Sequence, residues 1–449
     1  MSNFAGWMSA RGHSVAIVAN YDQQRLLKSL GTTDCKVLDF KTLKPVATGV
    51  SAASPGRTSS VSRAGRVAAS LARRIARWQS SSGSLAIVLL AIYWALQILR
   101  FRWLWRREVA RLNCDVAFVW WDNAATSNGE LLNLLKGCGA LLVHLPVALS
   151  DQKIIARLRA DSEVMQIGPR SGLVSRALAH FYPDQVLNFE FRMLFYYHPA
   201  EILAMALLGV LPAKPWVLGA SRADIVCFAD INQCDYWVKH GLDAGRARIV
   251  GNFDLQDVAL DIARLCRSHP CLFEQTTPLV LINMPNLVEH NVMSDWDLFW
   301  THVHKMFVPF DDYKVEMVVN LHPKSDPVNY AWLADAYGCL VTQSDIGAWI
   351  SLADLYVSLC SSTETIASDF GVPVLDIGLI FGFESDVLKS LPNITFLDSY
   401  QDYETAARSQ LADFTEQPRR YHALEDSTSL ISPFHKVNSL VDMKIATSC

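Results

Sequence analysis

Between Ala353 and Gly378 the chain reads ADLYVSLCSSTETIASDFGVPVLDIG, and the residues there able to do chemistry are Ser361, Ser362, Thr363 and Glu364. An apolar run ends at Cys360, and hydroxyls with a carboxylate open what the pattern predicts to be a helix. Two readings are open. Ser361 to Glu364 matches the S-x-x-E capping box, in which the serine oxygen takes the third amide and the glutamate reaches back. The same helix start at the end of a parallel strand offers N–H groups, a positive dipole end and hydroxyls to a phosphate. Glu364 decides between them. A carboxylate lying across the helix start makes a cap, whereas one swung aside, for example to ribose hydroxyls, leaves an anion site.

Other stretches carry comparable chemistry. In NMPNLVEH (Asn283–His290), Pro285 and Asn286 predict a turn from which Glu289 and His290 project. That pair suits acid/base work or a sugar hydroxyl, and equally a solvated helix start. In LHPK (Leu321–Lys324), His322 can donate to a phosphate oxygen, Pro323 stops the strand and Lys324 adds a point charge. The bland alternative is a strand terminus with a capping histidine and a surface lysine. Asp122, Asn123, Ser127 and Glu130 follow another apolar run, and His144 ends the next one. Asp122 and Glu130 are base candidates by position.

Parallel strands must position these groups. SVAIVAN (Ser14–Asn20), CDVAFVWWD (Cys114–Asp122), ALLVHLP (Ala140–Pro146), DIVCFAD (Asp224–Asp230) and ARIVGN (Ala247–Asn252) form one series. A second comprises Pro278–Asn283, Val315–Pro323, Cys339–Gln343, Leu352–Leu359 and Val372–Gly378. Near-continuous apolar runs, each followed by a helical pattern, predict parallel strands covered on both faces. The expected fold class is α/β, with two doubly wound Rossmann-like domains facing a cleft. They are expected over 1–265 and 266–449, divided where RSHPCLFEQTTP collects turn and breaker residues.

The chain has 40 Lys+Arg against 44 Asp+Glu, a net charge of −4. Within 40–107 there are twelve basic residues and no acid, so the rest of the chain carries −16. That asymmetry predicts an acidic partner surface, which is either membrane or nucleic acid. The basic segment contains LAIVLLAIYWALQIL (Leu85–Leu99), flanked by arginines and by Trp78, Trp103 and Trp105. Fifteen residues fall short of a bilayer span, which favours an interfacial segment or a core helix over a transmembrane one. A membrane surface met through 57–107 is the expected partner, rather than nucleic acid. The N-terminus MSNFAGWMSARGHS lacks an apolar signal core. Ten cysteines without a C-x-x-C pair predict neither a zinc site nor a disulfide framework, and fit a reducing compartment.

Three stretches of the first half and two of the second resemble the GT-B superfamily, which includes nucleotide-sugar glycosyltransferases and UDP-GlcNAc 2-epimerases. In the first half these are RGHSV (Arg11–Val15), ADIVCFAD (Ala223–Asp230) and ARIVGNFD (Ala247–Asp254). In the second, LHPK and Ser361-Ser-Thr look like the His-Pro and Ser-Ser/Thr motifs of bacterial sialyltransferases and capsular Kdo transferases. The resemblance implies that His322, Ser361, Ser362 and Thr363 contact donor phosphate, with Lys324 assisting and Glu364 close by. RGHSV in such proteins follows a first strand and a glycine-rich loop, and the resemblance implies that this first strand of the N-terminal domain is missing here. The epimerase motif S-G-G-x-x-E-E is replaced by SSTETIASD, and no D/E-D/E-G element is evident.

The implied activity is a glycosyltransferase of bacterial surface-polysaccharide assembly at the cytoplasmic face of the membrane. It would join a nucleotide-activated, CMP-linked sugar to a saccharide or lipid-linked acceptor without cofactor or metal. Alternatives are a UDP-GlcNAc 2-epimerase-like enzyme using Asp122, Glu130, Glu289 and His290, a CDP-polyol phosphotransferase, and a non-catalytic membrane-associated nucleotide-binding protein.

Overall fold

The computed structural model describes residues 83–119, 121–145, 151–160, 162–169, 171–252, 262, 267, 277–289, 292–323, 325–344 and 346–412, with the backbone of 16–19 and 36–39. Contacts divide the chain into two compact units. One comprises residues 1–144, 159–226 and 434–449, and the other 145–158 and 227–433.

In the first unit β1 (Ala16–Ala19) and β2 (Lys36–Asp39) pair in parallel, so SVAIVAN does contain a strand. Residues before Ala16 lie outside those described. Helix α1 (Ser84–Leu112) is 29 residues long and ends at Asn113, whose φ of 45° is a left-handed stop. It is longer than its apolar run because Arg, Leu and Trp continue a helix readily. Ile87, Leu90, Ala91, Ile98, Phe101, Trp105 and Val109 form its buried face. β3 (Val116–Val119), α2 (Thr126–Gly137) and β4 (Leu141–His144) follow, with β3 and β4 parallel. A small antiparallel sheet then interrupts the series, made of β5 (Gln166–Ile167), β6 (Val186–Phe189) and β7 (Arg192–Phe195). Helices α3 (Leu173–Phe181) and α4 (Pro199–Leu207) accompany it, and β8 (Ile225–Phe228) returns parallel beside β4. α1 packs on α2, α3 and α4.

β9 (Ala247–Ile249) stands next to β8 in a sheet of order β3-β4-β8-β9, with the first series as expected, and the second unit contains a six-stranded parallel sheet. Its strands are β10 (Leu279–Met284), β11 (Glu316–Leu321), β12 (Leu340–Thr342), β13 (Leu355–Ser358), β14 (Val374–Asp376) and β15 (Ile394–Phe396). The order is β12-β11-β10-β13-β14-β15, the doubly wound arrangement in which the winding reverses between β10 and β13. Those two strands are buried almost throughout, as a sheet covered on both faces requires. The short helix α5 (Thr363–Asp369) follows β13 directly. Each unit therefore carries the expected parallel α/β sheet. The antiparallel sheet, β2 and β15 are additions that the apolar pattern did not reveal.

Gly219 fixes one loop of the first unit. Its φ is +76°, and a Cβ there would lie 2.3 Å from Cγ2 of Val226 on β8. A side chain would combine left-handed strain with overpacking. Gly219→Ala is therefore expected to lower stability by about 2–4 kcal/mol, measured by urea unfolding. A loss under about 0.5 kcal/mol would show that the loop relaxes freely.

Candidate functional site

The winding reversal between β10 and β13 marks where a ligand crevice opens in such a sheet, beyond the carboxyl ends of the strands. The chain leaves β10 through Pro285–Glu289 and leaves β13 through Cys360–Ser362, so two of the stretches singled out by their chemistry flank the reversal. LHPK leaves β11, the strand next to β10. His290 and Lys324 lie outside the described residues.

On the β13 side, hydroxyls form a connected chain. Tyr356 Oη lies 2.5 Å from Thr363 Oγ1, which lies 2.8 Å from Ser361 Oγ. Ser361 Oγ also accepts from Thr363 N at 3.3 Å. The Asn283 side chain of β10 and Ser358 complete the surroundings of the buried Tyr356 hydroxyl. The capping box is thus half formed, because the serine oxygen serves Thr363 and not the amide of Glu364. Glu364 does reach back, with Oε1 accepting from Ser361 N at 2.8 Å, and it lies across the helix start. By the geometric criterion the stretch is a cap, and Glu364, fully buried, does not swing to a ribose.

The electrostatics reduce the conflict with an anion to the charge of one acid rather than two. Burial raises the Glu364 carboxyl well above the usual range, and the neighbouring Asp376 raises it further. Asp376 is pushed up to about 6 by burial, against which the N–H groups of Cys360 and Gly378 favour its ionised form. Of two buried acids, the one receiving two backbone N–H bonds ionises first, and Glu364 keeps its proton. A neutral Glu364 holds the turn and leaves Asp376, bound by the amides of Cys360 and Gly378, as the one charge of the pair. Cys360 itself sits at a left-handed φ of 46°. Burial, then Asp376 and Glu364, push its thiol up strongly, so it is a turn residue and no nucleophile.

On the β10 and β11 side, Glu289 Oε1 accepts from Tyr330 Oη at 2.7 Å. Burial and Glu289 together push the Tyr330 phenol up, so it remains a donor. Glu289 Oε2, Asn286 Nδ2 and Asn320 Oδ1 are buried without a hydrogen-bond partner among the described residues. Asn320 faces Asn283 across the β10–β11 ladder. Buried polar atoms are normally satisfied, so their clustering at strand ends by the reversal has the character of a binding site. Below His322 the backbone is fixed, since Gln343 Nε2 donates to the carbonyls of His322 and Ser325 at 2.8 and 2.9 Å.

The two base candidates of the first unit are anchors of its fold. Asp122 is fully buried and accepts from the N–H groups of Gly219, Ser221 and Arg222 at 3.0, 2.8 and 2.9 Å. Arg222, also buried, donates to the carbonyls of Asp122, Ala124 and Val210 and to Asn133. Glu130 is held bidentately by Arg102 at 2.7 and 2.9 Å. Their position after β3 is as expected, but their oxygens serve backbone and guanidinium. Among the described residues no cluster of three His, Cys, Asp or Glu could hold a metal ion. Sequence reasoning missed Asp376 and Tyr356, whose signal was a polar group inside or ending an apolar strand.

No protein-family model and no curated protein matches the chain. Among solved structures it is similar to the UDP-GlcNAc 2-epimerase of Neisseria meningitidis bound to UDP-GlcNAc, at 11% identity and a TM-score of 0.48, over 99% of this chain and 96% of that one. It is similar to the glycosyltransferase VinC in complex with dTDP, at 13% identity and a TM-score of 0.45, over 98% and 95%. It is also similar to the wall teichoic acid polymerase TagF, at 11% identity and a TM-score of 0.38, over 74% and 73%. These are the kinds of protein that the motifs resemble, but similarity at this level carries no weight for function, and the fold rests on the sheet orders themselves.

The acid pair has a measurable consequence. Both carboxyls titrate higher in the fold than unfolded, so their stabilising contribution is complete below about pH 4. It declines as pH rises through about 6 for Asp376, and further toward the higher range of Glu364. Glu364→Gln keeps an acceptor for Ser361 N and removes one ionisation. It should gain on the wild type by about 2 kcal/mol or more between pH 5 and pH 8, read by urea unfolding across that range. Parallel stability profiles would mean that Glu364 is ionised in the fold.

Proposed function

We propose that the chain is a glycosyltransferase using a nucleotide-activated sugar, with donor phosphate bound at the β10–β13 reversal of the second unit. The observation that carries this reading is the set of buried polar atoms of Asn286, Glu289 and Asn320 without a hydrogen-bond partner among the described residues, on the β10 and β11 side of the reversal, with the hydroxyl chain of Ser361, Thr363 and Tyr356 on the β13 side. Ser361, Ser362 and Thr363 donate to the phosphate, with His322 adding charge from the end of β11 and Lys324, two positions on in the sequence, assisting. An acceptor hydroxyl attacks the anomeric carbon, the bond to the nucleotide phosphate breaks, and the departing oxygen takes up the negative charge that these donors stabilise. Glu289 is the best-suited base, because one oxygen is held by Tyr330 and the other is without a partner among the described residues. A CMP-linked donor, a lipid-linked surface-polysaccharide acceptor and a place at the cytoplasmic face of the membrane, reached through 57–107, complete the reading.

A thermal-shift series with CMP, CDP, UDP and their sugars should raise Tm for at least one nucleotide. His322→Ala should weaken that nucleotide about tenfold or more, the usual effect of losing a hydrogen bond to a charged group. No response to any nucleotide overturns the reading. Epimerisation of UDP-GlcNAc without acceptor would replace it with an epimerase.

A further inference from the structure

The exposed side of α1 has no use in the nucleotide site. Leu85, Leu89, Ile92, Leu96, Leu99 and Trp103 recur at steps of four and three, and all are exposed, from 38% at Leu89 to 79% at Trp103. At 3.6 residues per turn this is one straight stripe about 27 Å long, opposite the buried face of Ile87, Leu90, Ile98 and Trp105. Two further exposed apolar side chains lie near the ends of α1. Leu173, exposed, adjoins the start of α1, where Val174 N contacts Ser84 Oγ, and Leu207, exposed, precedes Leu208, whose carbonyl accepts from Arg102. Around and beyond Trp103 the same side of the helix turns basic, with Arg100, Arg106 and Arg107 all exposed. The one acid of α1, Glu108, is paired with Arg111.

We propose that α1 is an in-plane membrane helix that docks the protein on one leaflet of an anionic bilayer through the Leu85–Trp103 stripe, with Arg100, Arg106 and Arg107 on lipid phosphates. This deepens the membrane placement proposed above, on which it rests, and it is independent of the nucleotide chemistry. Length and composition alone would let α1 cross a bilayer. A crossing would strip Ile87, Leu90 and Ile98 from the unit's own core and pull Arg102 off Glu130, whereas lying flat keeps both. The four-three spacing is also that of a coiled-coil seam, which makes a second copy the competing occupant. Charge decides against it. A parallel pair would set arginines against arginines, and an antiparallel pair with its stripes aligned would carry Arg106 and Arg107 past the partner's Leu85, with the one acid of α1 already paired. Anionic headgroups over acyl chains complement both parts of the stripe, with Trp103 at the join where interfacial aromatics settle.

The test is flotation of the full chain with phosphatidylcholine vesicles, with or without phosphatidylglycerol. The wild type should float with the anionic vesicles, about tenfold or more tighter than with neutral ones, and less at high salt. Leu96→Asp with Trp103→Asp should abolish flotation, and Arg106→Ser with Arg107→Ser should weaken it about tenfold or more and flatten the salt dependence. Both changes lie on the exposed side, so far-UV circular dichroism and any nucleotide-induced Tm shift should match the wild type. Failure here and failure of the nucleotide reading are thereby separable. Absence of flotation by the wild type overturns the proposal, as does flotation that survives the Leu96 and Trp103 change. A wild-type dimer in solution that the same change dissolves, without lipid binding, assigns the stripe to a second copy.

Discussion

Much of the second unit depends on one topological constraint. A parallel sheet wound outward from β10, first through β11 and β12 and then through β13 to β15, must part its connections at β10. Loops leaving β10 and β13 go to opposite faces, and the gap between them is the place where polar groups can gather beside buried apolar strands. Asn283, Tyr356, Ser361 and Thr363 are gathered there, as are Asn286, Glu289 and Asn320. Strand interiors such as LVLIN and LYV supply the burial, and the sharp turn at Cys360 aims the next residues back over the sheet end.

The acids at that turn illustrate how burial changes a residue's meaning. A glutamate at a helix start is ordinarily a charge that favours the dipole and excludes other anions. Packed beside Asp376 with no exposure, Glu364 becomes a neutral hydrogen-bonding spacer for the Ser361 amide. Gly378 is part of the same arrangement, since a Cβ on it would lie 2.9 Å from Oδ1 of Asp376 and 3.0 Å from Cβ of Cys360. Turn, acid pair and glycine are one packed unit.

The long strands were legible because a strand buried on both faces must be nearly all apolar, and runs such as VEMVVNL fit little else. β5 to β7 were not, because strands of two to four residues with Arg192 and an exposed Met193 show no sustained period. The polar residues at strand ends were also legible, but their partners were not. Asp122 meets amides about a hundred positions away, and Glu130 meets Arg102 on another helix. Nothing local distinguishes such an anchor from a base. Glu364 stands out in the sequence as decisive, but its protonation depends on Asp376, twelve residues on in the chain and hidden inside an apolar run.

The division of the chain constrains how it can be made. Residues 145–158 belong to the second unit but are synthesised before residues 159–226 of the first. Their ties are specific, since Asp151 accepts from Asp386 N, Lys153 pairs with Glu384 and Asp386, and Gln152 N donates to Tyr236. On the ribosome this stretch emerges with none of those partners yet made, and it must wait while the intervening segment completes its own core. The second unit is therefore complete only after the rest of its chain has been made. A chain cut once between the two series of strands would separate Lys153 from both of its carboxylates and Asp151 from the amide of Asp386.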